Sequence, residues 1–203
     1  SSRIPKNIIS IINEIYELDL NDLVGLNSFK PTFKYSNIIF FQGIDIIKPF
    51  QLYKINDISQ TFNINVLSVI SLLNILTSKK SLLKGASIVI ISSISGTIKG
   101  SPGHVLYSSS KAALIGLVKS LSLELSRRCI RINCISPGLI QTKSLFAKNK
   151  QILTNEEKLA YESRYPLGLG KLDSLNGTIK FLLEPSSKWI TGQNLIVDGG
   201  NSN

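Results

Sequence analysis

The run Ser87-Ile88-Val89-Ile90-Ile91 is apolar at every position after its serine, a pattern no half-exposed strand can carry. A strand with one wet face alternates, because successive side chains point to opposite faces. A strand without a polar face belongs in a parallel sheet covered by helices on both sides. The remaining pattern agrees, with strands expected at 14–20, 37–42, 87–93, 130–135 and 194–198 and helices at 57–80, 107–127 and 173–184. Strands alternating with helices of this length describe an α/β sandwich of three layers. No linker or internal repeat divides the chain, so residues 1–203 are expected to form a single domain. Residues 139–168 interrupt the alternation, and Leu145, Phe146 and Leu153 within them suit either a mobile flap or a surface helix hairpin. Near the start, Pro5 followed by Ile8, Ile9, Ile11 and Ile12 suggests a short helix.

Composition narrows the function classes. With 43% hydrophobic residues, 203 positions suffice for one substantial core. No apolar run reaches the roughly 18 residues of a membrane span and no charged-then-apolar leader opens the chain, so a cytoplasmic protein with no membrane partner is expected. The chain contains no methionine, as in a processed, truncated or incompletely represented product. Cys129 and Cys134 are not spaced as a redox pair and lack the companions of a metal site, so both read as packing thiols and no metal is expected. Asn176-Gly177-Thr178 matches a glycosylation acceptor that would be inert inside the cell. The net charge of +10 raises the question of nucleic acid. Its basic groups, Lys79-Lys80-Lys84 and Arg127-Arg128-Arg131, fall near expected helix ends without interleaved aromatics, which favours solvated helix faces over a phosphate-tracking surface. The summed field would still attract phosphorylated small molecules weakly.

The chemistry-bearing residues stand in Tyr107-Ser108-Ser109-Ser110-Lys111, with Ser93 upstream at the end of the apolar strand. A four-residue spacing puts Tyr107 and Lys111 on one helix face, one turn apart. A free phenol titrates near about 10, and an adjacent cation lowers that by about 1 to 3 units, into the range of useful proton transfer. Ser93 supplies a hydroxyl for a substrate oxygen. His104 is read as an exposed loop residue rather than a substrate contact. Gly96, Gly100 and Gly103 do not have phosphate-cradle spacing and serve instead to turn the chain beside the site.

Together these motifs resemble the short-chain dehydrogenase/reductase family. Ile91-Ser92-Ser93-Ile94-Ser95-Gly96 is similar to its serine strand, Arg131 to Thr142 to its next strand and nicotinamide loop, and Ile190 to Gly200 to its closing strand. Asn65 falls where the family places the asparagine of a catalytic tetrad. The resemblance implies a Rossmann-like, doubly wound parallel sheet. It implies that Ser93 orients a carbonyl, Tyr107 donates its proton, Lys111 lowers the phenol pKa and contacts the nicotinamide ribose, and Asn65 holds a relay water. For the cofactor it implies Tyr107, Lys111, Pro137, Gly138, Ile140 and Thr142, with Gly43 and Asp19 at further contact positions. The cofactor would be NAD or NADP, with the preference unreadable, and the substrate a small carbonyl or alcohol. Assembly as a homo-oligomer through helices 57–80 and 107–127 is implied as well.

Two departures qualify the resemblance. No glycine-rich strand-turn-helix precedes Asp19, so the first βαβ unit, which would grip the pyrophosphate, is missing from the pattern. Phe40 and Phe41 stand where the family carries asparagines. Two functions are therefore open: a carbonyl–alcohol oxidoreductase close to 3-oxoacyl carrier-protein reductases, or a cofactor-deficient relative kept as a binding or assembly subunit.

Overall fold

A computed structural model describes residues 16–142, 159–160 and 162–203. Four parallel strands, β1 (Tyr35–Phe40), β2 (Leu82–Ile91), β3 (Arg131–Pro137) and β4 (Asn194–Val197), lie in sequential order. In register, Ile88 of β2 sits between Ile38 of β1 and Ile132 of β3, while Cys134 and Ile135 of β3 face Asn194 and Leu195 of β4.

The two faces of β2 bury different layers. Ile88 and Ile90 join Ile132, Cys134, Val69, Leu73, Leu114 and Val118 in one core cluster. The intervening Val89 joins Ile135, Leu175, Ile179 and Leu182 in a second. Alternate side chains of one strand thus serve opposite layers, which is why the strand is apolar throughout.

Helices follow the same division. After a single turn α1 (Leu23–Leu26), α2 (Ile55–Phe62) runs through a π-helical turn at Asn63–Leu67 into α3 (Ser68–Ser78). The helix α4 (Val105–Leu125) packs beside α3 in the first cluster, and α5 (Asn176–Leu183) covers the other face. The stretch Ile55–Ser78 is long and apolar enough by composition to cross a membrane, yet Val69, Leu73 and Leu76 pack into the same cluster as the strands.

Several expectations require correction. Residues 16–20 of the expected strand at 14–20 are not a strand; Tyr16 instead meets Phe29 edge-on at 5.0 Å between ring centroids and shares a 2.8 Å hydroxyl hydrogen bond with Thr32. Aromatic and hydroxyl contacts within its own loop hold the segment where no strand pairs with it. The expected helix at 57–80 is two α-helices around the π turn. Arg131 is no solvated-face residue: buried in β3, its guanidinium donates to Ser187 Oγ at 2.9 Å and to the carbonyls of Glu184 and Ile190. Cys134 packs as expected, but Cys129 is exposed because it ends the α4 segment in a left-handed conformation, φ 56°. The short helix expected around Ile8–Ile12, and Leu145, Phe146 and Leu153 of the expected flap, lie outside the described residues.

Candidate active site

Parallel strands end together, so the residues that follow β1, β2, β3 and β4 share the carboxyl rim of the sheet, where open α/β sheets bind their ligands. Ser93 comes two residues beyond β2, Gly43 three beyond β1, and Gly138 directly after β3. Helix α4 brings Tyr107 and Lys111 to that rim in its first two turns.

Lys111 is buried at 3% exposure. Its ammonium donates to the carbonyl oxygens of Ile91 at 2.8 Å and Gln42 at 3.3 Å, and lies 5.8 Å from the centroid of the Tyr107 ring. Burial pulls its pKa down to about 8. The phenol of Tyr107 meets the hydroxyl of Ser93, which favours ionisation, yet its pKa is raised. Burial is the largest cause, and the carboxylate of Asp45 adds to it. This corrects the expectation that Lys111 lowers the phenol pKa. The ammonium is held by the Gln42 and Ile91 carbonyls, and the phenol's shift is set by desolvation, Ser93 and Asp45 instead. A phenol that keeps its proton at neutral pH is an acid, suited to donating to a developing alkoxide.

Asn65 sits in the π turn with its side chain fully buried and both amide protons hydrogen-bonded. Its Oδ1 accepts from the Ile44 N–H at 2.8 Å, and its Nδ2 donates to the Ile44 carbonyl and to Ser110 Oγ, each at 2.9 Å. Ser110 in turn donates to the Tyr107 carbonyl at 2.7 Å. The asparagine amide therefore ties the post-β1 loop to α4. The π turn widens the helix by one residue at the point where this amide must reach sideways, a frequent use of such turns.

Glycines allow the close approaches. A Cβ on Gly43 would lie 3.0 Å from Lys111 Nζ and 3.6 Å from Asn65 Oδ1. On Gly96 it would stand 2.6 Å from the Ala112 backbone nitrogen, so Gly96 lets the strand-end loop touch α4. On Gly138 it would meet the Asp198 Cα at 2.9 Å and Tyr165 at 3.0 Å. Gly138 also donates to the Val197 carbonyl at 3.0 Å, fixing Pro137 and the loop after it against the end of β4. Ile140 then bridges to Gly170, and half-buried Thr142 ends the described part of the loop. Asp19 is exposed, and its carboxylate accepts from the Asn21 N–H at 2.8 Å within a turn whose Asn21 accepts from Asn63 Nδ2 of the π turn. Phe40 enters the core, whereas Phe41 is 60% exposed.

Sequence reasoning missed four contributors. Ser110 links Asn65 to Tyr107, and Ser92 Oγ donates to the Lys111 carbonyl at 2.8 Å. Gln42 offers its carbonyl to Lys111 and buries a side-chain Nε2 that has no partner. Asp45 pairs with His104, which is partly buried rather than an exposed loop residue. The serines had a signal in their adjacency to the key residues; Gln42 and Asp45 had only their place after β1.

The rim suits the nicotinamide-ribose end of a dinucleotide. Lys111 has three donor protons and two recorded acceptors, Gln42 Nε2 is an orphan donor beside it, and Gly43 leaves the approach open. Among the described residues, no glycine-rich turn precedes β1 to hold a pyrophosphate.

A family profile described as enoyl-(acyl carrier protein) reductase matches residues 36–202. Dehydrogenase/reductase SDR family member 4 of Homo sapiens is 39% identical over 116 residues, covering 57% of this chain and 41% of that protein. A 3-oxoacyl-(acyl-carrier-protein) reductase of Thermotoga maritima is 34% identical over 148 residues, covering 72% of this chain and 58% of the relative. The chain thus spans about half the length of these curated relatives. Among solved structures, a short chain dehydrogenase family protein from Francisella tularensis superposes with a TM-score of 0.81 at 27% identity, over 92% of this chain and 80% of the other. ElxO with NADP bound gives 0.76 at 29% identity, over 92% and 77%.

Proposed function

Because the chain belongs to the short-chain dehydrogenase/reductase family, we propose that it interconverts a carbonyl and a secondary alcohol with NAD or NADP. The observation that carries this reading is the half-buried phenol of Tyr107 in contact with the Ser93 hydroxyl, one helical turn from the Lys111 ammonium. Ser93 and Tyr107 would both donate to a carbonyl oxygen and stabilise the charge that grows there. Lys111, Gln42 and Gly43 would hold the nicotinamide ribose, and the loop from Pro137 through Gly138 and Ile140 to Thr142 the carboxamide end. The cofactor supplies or accepts the hydride. Support for a nicotinamide comes from neighbours of the same fold solved with NADP and with NADH. Substrates in the range of 3-oxoacyl thioesters are the first to screen, given the Thermotoga relative.

Purified chain should turn over NADPH or NADH with a carbonyl from such a panel, and Tyr107→Phe should lower kcat by about 10²- to 10⁴-fold. Retained turnover in that variant would sink the mechanism. The exposed Phe41 and core-bound Phe40, where family asparagines are expected, favour a second reading as a cofactor-deficient binding subunit. Calorimetric titration with NADPH and NADH separates the two, since micromolar binding argues for the enzyme and its absence for the subunit.

We further infer a cytoplasmic homo-oligomer. Exposed Leu67, Ile70 and Leu123 on the long helices support self-association, and the free, exposed Cys129 fits a reducing compartment. Sedimentation across a concentration series tests the first point.

A further inference from the structure

Beside the proton-transfer residues lies an ionisable pair that the proposed mechanism does not use. His104 Nδ1 and Asp45 Oδ2 are 2.8 Å apart, with side chains only 26% and 28% exposed. His104 caps α4 at its N-terminus, and its ring stands edge-on to the Tyr107 ring at 6.5 Å between centroids. Asp45 directly follows Ile44, whose N–H and carbonyl are both clamped by Asn65, so the carboxylate is fixed from the same amide that braces the site. Its second oxygen, Oδ1, is buried without a partner.

The other charged and titratable groups named near the pair have their own partners. Lys111 donates to the Gln42 and Ile91 carbonyls. Lys48 is paired with Asp57 at 2.7 Å. The Tyr53 phenol donates to the carbonyls of Ile46 and Gly103, and the Ser93 hydroxyl faces Tyr107. Among the described residues, His104 is the group paired with Asp45.

We propose that Asp45 and His104 form a charge switch beside Tyr107: neutral overall while the imidazole holds its proton, anionic once that proton leaves, and in the anionic state keeping the phenol in its proton-donating form. The proposal rests on the carbonyl–alcohol reading for its functional meaning. Its physical basis is independent of that reading. A nearby carboxylate stabilises an imidazolium and opposes a phenolate, and in this structure Asp45 raises the pKa of both His104 and Tyr107. As pH rises through the imidazole titration, the offsetting cation disappears while the phenol is still protonated. Asp45 then acts unopposed, so Tyr107 remains an acid further into the alkaline range. Carbonyl reduction, which needs the acid, is favoured over alcohol oxidation, which needs the phenolate. Asp45 and His104 are positioning residues in this scheme, acting through Tyr107.

The chain has a single histidine, so one imidazole resonance followed by proton NMR reads the pair without turnover. Carbon-labelled tyrosine, with Tyr107→Phe identifying its signal, reads the phenol. Relative to wild type, Asp45→Asn should lower the imidazole midpoint. The phenol midpoint should fall in Asp45→Asn and in His104→Lys, which keeps the pair neutral, and stay in place in His104→Gln. An imidazole midpoint indifferent to Asp45→Asn, or a phenol midpoint unmoved in both Asp45→Asn and His104→Lys, overturns the switch. A chain that shows these shifts yet reduces no carbonyl refutes the oxidoreductase reading alone. An active chain whose alcohol-oxidation profile fails to move to lower pH in Asp45→Asn refutes the switch alone.

Discussion

At the scale of single residues, burial governs the site. Lys111 has an ordinary pKa of 10.5 and a folded one of about 8. Between those values the unfolded chain binds more protons than the native one, so this lysine makes stability rise with pH across that window. The gap corresponds to on the order of 3 kcal/mol. Urea unfolding of wild type and Lys111→Met at pH 7.5 and pH 10 (chosen at about the ends of that window) should show the wild type gaining on the variant as pH rises; parallel behaviour would contradict the burial cost. The two thiols divide in the same way. Exposed Cys129 should react with a maleimide in the native protein, while Cys134, pushed up to about 12 by burial, should react only after unfolding. Mass spectrometry before and after denaturant checks both. Tyr107, Lys111, Ser93 and Asn65 were legible because their spacing and order are themselves a pattern. The direction of the Tyr107 shift was not, because desolvation and the Asp45 charge are supplied by segments far away in sequence. Asp19 was legible only as a motif position: its carboxylate accepts from the Asn21 N–H within its own turn.

At the scale of elements, strands buried on both faces were easy to read and helix ends were not. Ile88 and Val89 announce two covering layers by themselves. The π turn left no comparable trace, since one extra residue in a helix changes hydrogen bonding more than hydropathy. Cys129 holds the left-handed position at the end of the α4 segment, a conformation that costs a residue with a Cβ about 1 to 2 kcal/mol. Cys129→Gly should raise Tm, because it adds roughly 0.5 to 1 kcal/mol of stability after the flexibility of glycine in the unfolded chain is counted. A lower Tm would show that the thiol makes a compensating contact. Gly138→Ala should act in the opposite sense, because its methyl would press on the Asp198 backbone and Tyr165. Overpacking of this kind costs about 1 to 3 kcal/mol, and a thermal melt measures it. If that variant melts like wild type, the loop after β3 is less tightly seated on β4 than the contacts indicate.

At the scale of the whole molecule, the rim is assembled from segments between Gly43 and Gly200, each delivered by the end of a different strand. The +10 net charge surrounds it with an attractive field for phosphorylated ligands. Affinity for NADPH should therefore weaken as ionic strength rises, visible as a falling association constant in a salt series; a flat series would mean that the field plays no part. The layered architecture was readable from sequence, because periodicity reports burial. Which residues share the rim was readable only where a known motif named them. The parallel sheet has a further consequence, in time rather than space. Parallel neighbours cannot be joined by a tight turn, so every pairing here closes across an intervening crossover. Among the described strands no hairpin can form early and template the rest, and refolding is expected to be slow, with unpaired apolar strands exposed while it proceeds. A newly made chain would thus carry its tyrosine and lysine well before the last strand emerges to seat the loop at Gly138, and the site would come into being in one late, cooperative step.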